Sequence, residues 1–175
     1  MSLTDAQIDR YSRQIIVPHI GGRGQERLLA ARMLLAGDAR DIEAPLAYLV
    51  GAGVGSISLK PSADHSPITE KNVGLALVII GSEDSRKIAN EIANDRDMRA
   101  LVVARLDTPG KILVIPDAHG AETIDGGFGA RAEAVDFIAM LATAEAFKLI
   151  AGYTENPSRA TIEFDGYATT VRVHP

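Results

Sequence analysis

The turn Gly37-Asp-Ala-Arg-Asp-Ile-Glu43 stands where an α/β protein would hold phosphate. It follows the apolar run Met33 to Ala36 and precedes the apolar helical stretch Ala44 to Val50. Phosphate at such a turn is held by glycine backbone and a helix N-terminus. The residue types here point the other way. Gly37 is the turn's single glycine, and Asp38, Asp41 and Glu43 crowd the helix start. Carboxylates there satisfy the free N–H groups and the positive dipole end themselves. An incoming phosphate would meet repulsion and occupied donors. Arg40 is the only local counter-charge. Gly37, Asp38, Arg40 and Asp41 therefore have the outline of a nucleotide loop without its chemistry.

A second glycine cluster, Gly51-Ala-Gly-Val-Gly-Ser56, follows a helix and precedes a strand, the wrong order for a dinucleotide fingerprint. It reads as a helix end and a tight turn. Gly81-Ser-Glu-Asp-Ser85 follows the buried-strand run Val73 to Ile80. It reads as a helix start capped by Ser82 or Asp84, ahead of Ile88 and Ile92 on one face. His119, in a glycine-rich stretch, has no partner in sight, and His19, His65 and His174 carry no stronger claim. With no cysteine in the chain, disulfides, thiolate metal sites and a cysteine nucleophile are excluded.

The elements that would position these residues open as strand, turn, helix, strand over residues 31–60, the first unit of a nucleotide-binding α/β fold. Strands follow at 73–80, 100–104 and 111–115, with a turn at Thr108-Pro-Gly110. Upstream, Thr4-Asp-Ala-Gln7 resembles a capping box, and Ile8, Tyr11 and Ile15 form one apolar stripe. That stripe has no obvious place to pack within so short a chain. Gly21, Gly22 and Gly24 break the chain before a short helix from Gln25 to Ala31. The longest helix is expected from Ala132 to Ala151, with Phe137, Met140, Leu141, Ala144 and Phe147 as its core stripe. Two strands around Asp165-Gly-Tyr167 then close the chain as a hairpin. The fold class is α/β, Rossmann-like and three-layered, with a mixed sheet whose parallel strands come first.

The 175 residues are expected to form one domain: an N-terminal helical arm at 1–30, a nucleotide-fold half at 31–115, a flexible loop at 116–130, and a core helix with the hairpin at 131–175. A net charge of −5 argues against a nucleic-acid or anionic-membrane surface. No apolar run approaches the roughly 20 residues of a membrane span. The first residues, acidic and without an apolar core, do not read as a signal peptide. A cytoplasmic protein is expected.

Arg10-Tyr-Ser-Arg-Gln-Ile15, Ile20-Gly-Gly-Arg-Gly-Gln-Glu26 and Ala31-Arg-Met33 resemble the start of the ThiF/MoeB/HesA family. The match resumes at Tyr48-Leu49 and Gly53-Val-Gly55. It returns at Ala142 to Leu149 with Gly152, and at Ile162 to Asp165 and Val171 to Val173. These relatives of the ubiquitin-activating enzymes adenylate the C-terminal glycine of a ubiquitin-like or sulfur-carrier protein. The resemblance implies a homodimer in which Arg13 reaches the cleft; Asp38, Asp41 or Glu43 is its expected counter-charge here, and the alternative is a solvated arginine on the helix face. It implies a magnesium-binding carboxylate at the place of Glu83 or Asp84.

The departures fall on the chemistry. Ala39, Arg40 and Ile42 replace the family's remaining phosphate-loop glycines, and Pro61 stands at the place of its ribose-binding aspartate. Residues 62–71 lack its triphosphate-binding asparagine, arginine and glutamine. The expected function is a non-catalytic member acting as a dimerisation or carrier-binding module. No cofactor is expected and no catalytic residue stands out, Arg13 and Asp84 being vestigial candidates. The alternative is an active adenylyltransferase using ATP and magnesium at an atypical site. A third reading is a small-ligand or carrier-binding module that reuses the cleft.

Overall fold

The structure, a computed structural model, describes residues 3–95, 99–117, 124, 130–153, 157–165 and 168–174. The chain begins with two helices, α1 (Asp5–Ile15) and α2 (Gly21–Ala30). The Thr4 hydroxyl accepts from the Gln7 amide at 3.3 Å, and the Gln7 side chain accepts from the Thr4 amide at 2.9 Å. That is the reciprocal box read from the sequence. The glycines at 21, 22 and 24 do not break the chain; they open α2. The break lies before them, over residues 16–20. A side chain at Gly24 would come within 3.3 Å of the Ala151 carbonyl, so its absence lets α2 pack close.

Strand β1 (Arg32–Gly37) leads into α3 (Ala39–Ala52) and β2 (Ser56–Pro61). Then come β3 (Leu75–Ile80), α4 (Glu83–Ala93), β4 (Ala100–Arg105), β5 (Gly110–Ile115), α5 (Val135–Ala151), β6 (Ala160–Phe164) and β7 (Thr169–Val173). They build one sheet in the order β2-β1-β3-β4-β5-β6-β7. Neighbours are parallel from β2 to β4 and antiparallel from β4 to β7. The expected mixed sheet, parallel first, is what forms. The chain turns to one side of β1 to make β2 and to the other side to make β3. The C-terminal ends of β1 and β3 therefore flank the crevice where such sheets bind ligands.

Alternation along the strands assigns the faces. Met33, Leu35, Leu77 and Ile79 lie in one core with Ile42 and Leu49 of α3 and Ile138, Ala142 and Ala146 of α5. Leu34, Ala36, Val78 and Ile80 lie in the other, under Ile88, Ala89 and Ile92 of α4. Strands buried on both faces read as continuous apolar runs, which is why β1 and β3 are legible in the sequence.

Helix α5 departs from expectation. It begins at Val135 rather than Ala132, and its buried side carries Ile138, Ala139, Ala142, Thr143, Ala146 and Phe147. Of the stripe read from Phe137, Phe147 is buried as expected and Leu141 packs partly on the core, whereas Phe137 is turned off it. Phe137 is 49% exposed and packs its ring on Phe164 of β6, centroids 4.9 Å apart. The sheet takes the alanine side of this helix because small residues allow close approach, and the large side chains are left at its flanks.

The α1 stripe also needs correction. Tyr11 does pack within the chain, buried to 7% exposure, whereas Ile8 remains exposed. Its ring lies under Gly53, the left-handed cap of α3 at φ 85°. A Cβ at Gly53 would fall 2.6 Å from the Tyr11 Cζ. Gly53 is therefore a helix cap, as the element order requires, and it also seats the N-terminal helix. The substitution Gly53→Ala adds left-handed strain and displaces Tyr11. Its expected cost is roughly 2–3 kcal/mol, a melting temperature lower by about 5–10 °C. A thermal melt checks this, and an unchanged melting temperature would remove Tyr11 from this anchoring role.

Candidate functional site

The candidate turn sits at the end of β1, pinned from several sides. A Cβ at Gly37 would meet the Ile79 carbonyl oxygen at 2.5 Å and the Ile42 Cγ2 at 2.9 Å. The turn is thus packed against β3 and its own helix. Across it, Pro61 pairs in register with Gly37, and the Ser62 amide donates to the Gly37 carbonyl at 2.9 Å. The loop after β2 therefore closes onto the turn.

Asp38 is the N-cap residue of α3, yet its carboxylate does not bond the helix amides. Its Oδ1 accepts instead from the Ser82 hydroxyl at 2.8 Å and from the Ser62 hydroxyl. The expectation that this carboxylate covers its own helix start is corrected by those two hydroxyls. They come from just past the ends of β3 and β2. Glu43 is exposed.

Asp41 is the centre of the site. Its side chain is 3% exposed and is held by Arg131, whose Nη1 donates to Oδ2 at 3.1 Å and whose Nη2 donates to Oδ1. This is a bidentate guanidinium–carboxylate pair. The hydrogen bond to Asp41 raises the Arg131 pKa above its ordinary value, and the Asp38 charge adds to the effect. Arg40, expected as the only counter-charge, is exposed and lies 3.6 Å from Asp41 Oδ1 as a secondary partner. Gly81, at the end of β3, makes the room. A Cβ there would sit 2.1 Å from Asp41 Oδ2 and 2.9 Å from Asp38 Oδ2.

Arg131 is presented by a short strap. The Thr108 amide donates to the Ala130 carbonyl at 2.9 Å, and the Ala132 amide donates to the Leu106 carbonyl at 2.8 Å. Asp107 and Arg131 form an isolated antiparallel bridge. Asp107, 5% exposed, is itself paired with Arg105. Beside the strap a cleft of about 520 Å³ is lined by Thr108, Gly110, Glu133 and Phe164 among others.

Of the other candidates among the described residues, Ser82 alone joins this arrangement, through its hydroxyl on Asp38. Ser82 caps α4, in a reciprocal box with Ser85. Glu83 and Asp84 occupy the first turn and pair with Arg86 and Lys87 one turn on. The hydrogen bond from Arg86 lowers the Glu83 pKa, and that from Lys87 lowers the Asp84 pKa. Among the described residues no group of three or more metal-ligating side chains converges. Arg13 is exposed on α1 and makes no ion pair among the described residues; the cation on Asp41 is Arg131. His119 lies outside the described residues.

Sequence reasoning missed Arg131, Ser62 and Ser82 as partners of the turn. Arg131 stands 90 residues from Asp41, and no local pattern points across that distance. It also missed Lys60, buried in β2 with its ammonium on the Ser66 carbonyl and 3.4 Å from Asp64. The Ser66 hydroxyl and amide hold the Asp64 carboxyl at about 2. These bonds fasten the loop that carries Ser62.

No family model matches the chain. In sequence it is 42% identical to the mouse adenylyltransferase and sulfurtransferase MOCS3 over 73 residues, which are 41% of this chain and 15% of that protein. It is 45% identical to the sulfur carrier protein adenylyltransferase of Thermus thermophilus over 60 residues, 34% of this chain and 22% of that one. It thus spans a small part of the curated relatives it matches. In structure it resembles PaaA at a TM-score of 0.62 and 13% identity, covering 98% of this chain and 75% of that one. It resembles MccB of E. coli, solved with ATP, at 0.60 and 13%, covering 94% and 71%. The likeness to the ThiF/MoeB/HesA adenylyltransferases read from the sequence holds in the sequence comparison over those stretches, and the solved structures share the fold.

Removing the cation tests the site. Arg131→Ala leaves the Asp41 carboxylate buried and without its bidentate partner. Breaking a fully buried pair costs about 3–5 kcal/mol. Because the Arg131 side chain is 31% exposed, roughly 2–3 kcal/mol is expected after allowance for solvent screening. Asp41→Asn combined with Arg131→Gln should recover more than half of that, since no buried charge remains. Urea unfolding of Asp41→Asn, of Arg131→Gln and of the double variant measures the coupling. Additive effects would show that the pair does not hold the turn.

Proposed function

We propose that the chain is a non-catalytic counterpart of the sulfur-carrier adenylyltransferases, keeping their fold and serving as a dimerisation or carrier-binding module. One observation carries the reading: at the crevice between β1 and β3, Asp41 is buried and already paired with Arg131. The residues around it do not fit magnesium and a triphosphate. Ala39 and Ile42 stand where close backbone approach needs glycine, and the Gly37 backbone is packed against Ile79. Asp38 and Asp41 add negative charge at the helix start. Pro61 offers no carboxylate to a ribose. Glu83 and Asp84 are engaged on their own helix.

A second reading, an active adenylyltransferase with an atypical site, has one observation in its favour. Asp38 leaves the α3 amides without a side-chain cap, and Arg40 and Arg131 stand nearby as cations. Titration separates the two readings. The first predicts no MgATP dissociation constant below about 100 μM by calorimetry, equivalent to about 5–6 kcal/mol of binding energy. It also predicts no pyrophosphate exchange above background with ubiquitin-like carriers. A tighter constant, or exchange, moves the conclusion to the second reading.

The partners proposed are a second copy of the chain and a ubiquitin-like or sulfur-carrier protein, in a cytoplasmic setting. The support is an open sheet edge: β7 is exposed along its length, with Val171 at 58% and Val173 at 65%. An uncovered apolar edge strand invites pairing. Among the described residues no helix is long and apolar enough to cross a membrane. Light scattering at micromolar concentration is expected to give twice the chain mass, and a monomer there would sink the homodimer.

A further inference from the structure

At the opposite end of the sheet, where β1, β3 and β4 begin, Arg32, Leu75 and Ala100 border a cleft of about 250 Å³. Its apolar wall is Leu75, Leu149 and Ile150, and Arg27 and Arg32 stand at its border. No carboxylate is among the described residues that line it. Arg27 is oriented by one hydrogen bond. Its Nη1 donates to the Ala151 carbonyl at 3.3 Å, across the left-handed cap of α5. A Cβ at Gly152 would fall 1.6 Å from that nitrogen, so the glycine is what lets the guanidinium lie there. One bond uses one of five N–H donors. Neither arginine has a carboxylate partner among the described residues. A second cleft of about 320 Å³ adjoins the first through Leu149 and Pro157 and runs to Tyr153 and Val173.

We infer that this cleft binds a small organic carboxylate with an apolar body. The carboxylate would lie on Arg27 and Arg32 and the body on Leu75, Leu149 and Ile150, with the adjoining cleft taking a longer chain. Two features argue for this class over a neutral or cationic ligand. A guanidinium already oriented by Ala151 offers its remaining donors without further ordering, and its fork matches a carboxylate. The wall behind it offers apolar contact and no polar side chain, which suits an acid with a hydrocarbon or aromatic body better than a phosphate or a sugar. The inference stands apart from the crevice at Gly37 and Gly81, which lies at the other end of the strands.

The test uses the full chain and anilinonaphthalene sulfonate, an aromatic anion whose fluorescence reports entry into apolar clefts. Decanoate and decanol, equal in chain length and different in charge, serve as competitors. Decanoate is expected to displace the probe about tenfold better than decanol, and Arg32→Glu is expected to abolish that preference. Arg32 is exposed and makes no side-chain bond to another described residue, so the variant should fold normally. The comparison of the two competitors on the unaltered protein does not depend on it. Equal displacement by acid and alcohol, no saturable displacement by decanoate, or a preference that survives Arg32→Glu would each overturn the inference.

Discussion

A carboxylate cannot be buried alone, and the end of this sheet is arranged around one that is not. Asp41 sits in the first turn of α3, beneath a glycine that leaves it room, and takes both guanidinium nitrogens of Arg131. From that requirement the rest of the crevice follows. The strap after β4 must approach the first helix, the end of β3 must carry no side chain at residue 81, and Asp38 must find its own partners. It finds them in Ser62 and Ser82, one from each neighbouring strand end. Both carboxylates at the crevice are thus engaged by side chains of the same chain.

The closure is compatible with the fold because the two are separately supported. The sheet is held by apolar burial on both faces, under α3 and α5 on one side and α4 on the other. Little of that depends on what occupies the strand ends. The scaffold therefore does not by itself decide what the crevice does.

How much of this was legible in the sequence varied with the range of the forces involved. Strands β1, β3 and β4 were readable because two-sided burial writes continuous apolar runs. The helix starts at Thr4 and Ser82 were readable because a cap is a local bond between residues three apart. Helix α5 was located, but its buried face was misjudged. Apolar spacing cannot say whether a sheet will take the phenylalanine side or the alanine side, and close approach selected the alanines. The acidic turn was read as hostile to phosphate, and its long-range partners were not foreseen. Arg131, Ser62 and Ser82 meet it only after the sheet has formed, and Lys60 carries no signal that marks it as buried.

That long-range pairing has a kinetic side. Asp41 and Arg131 close a chain segment of 90 residues, and the loop entropy of such a contact is met before the contact yields anything. A pair made after the strands that bring its partners together would be absent from the folding transition state. Interactions absent from the folding transition state govern how fast a protein comes apart far more than how fast it assembles. On that order of events the Asp41–Arg131 pair would act as a latch on the native state, lengthening its lifetime more than it changes the speed of its formation.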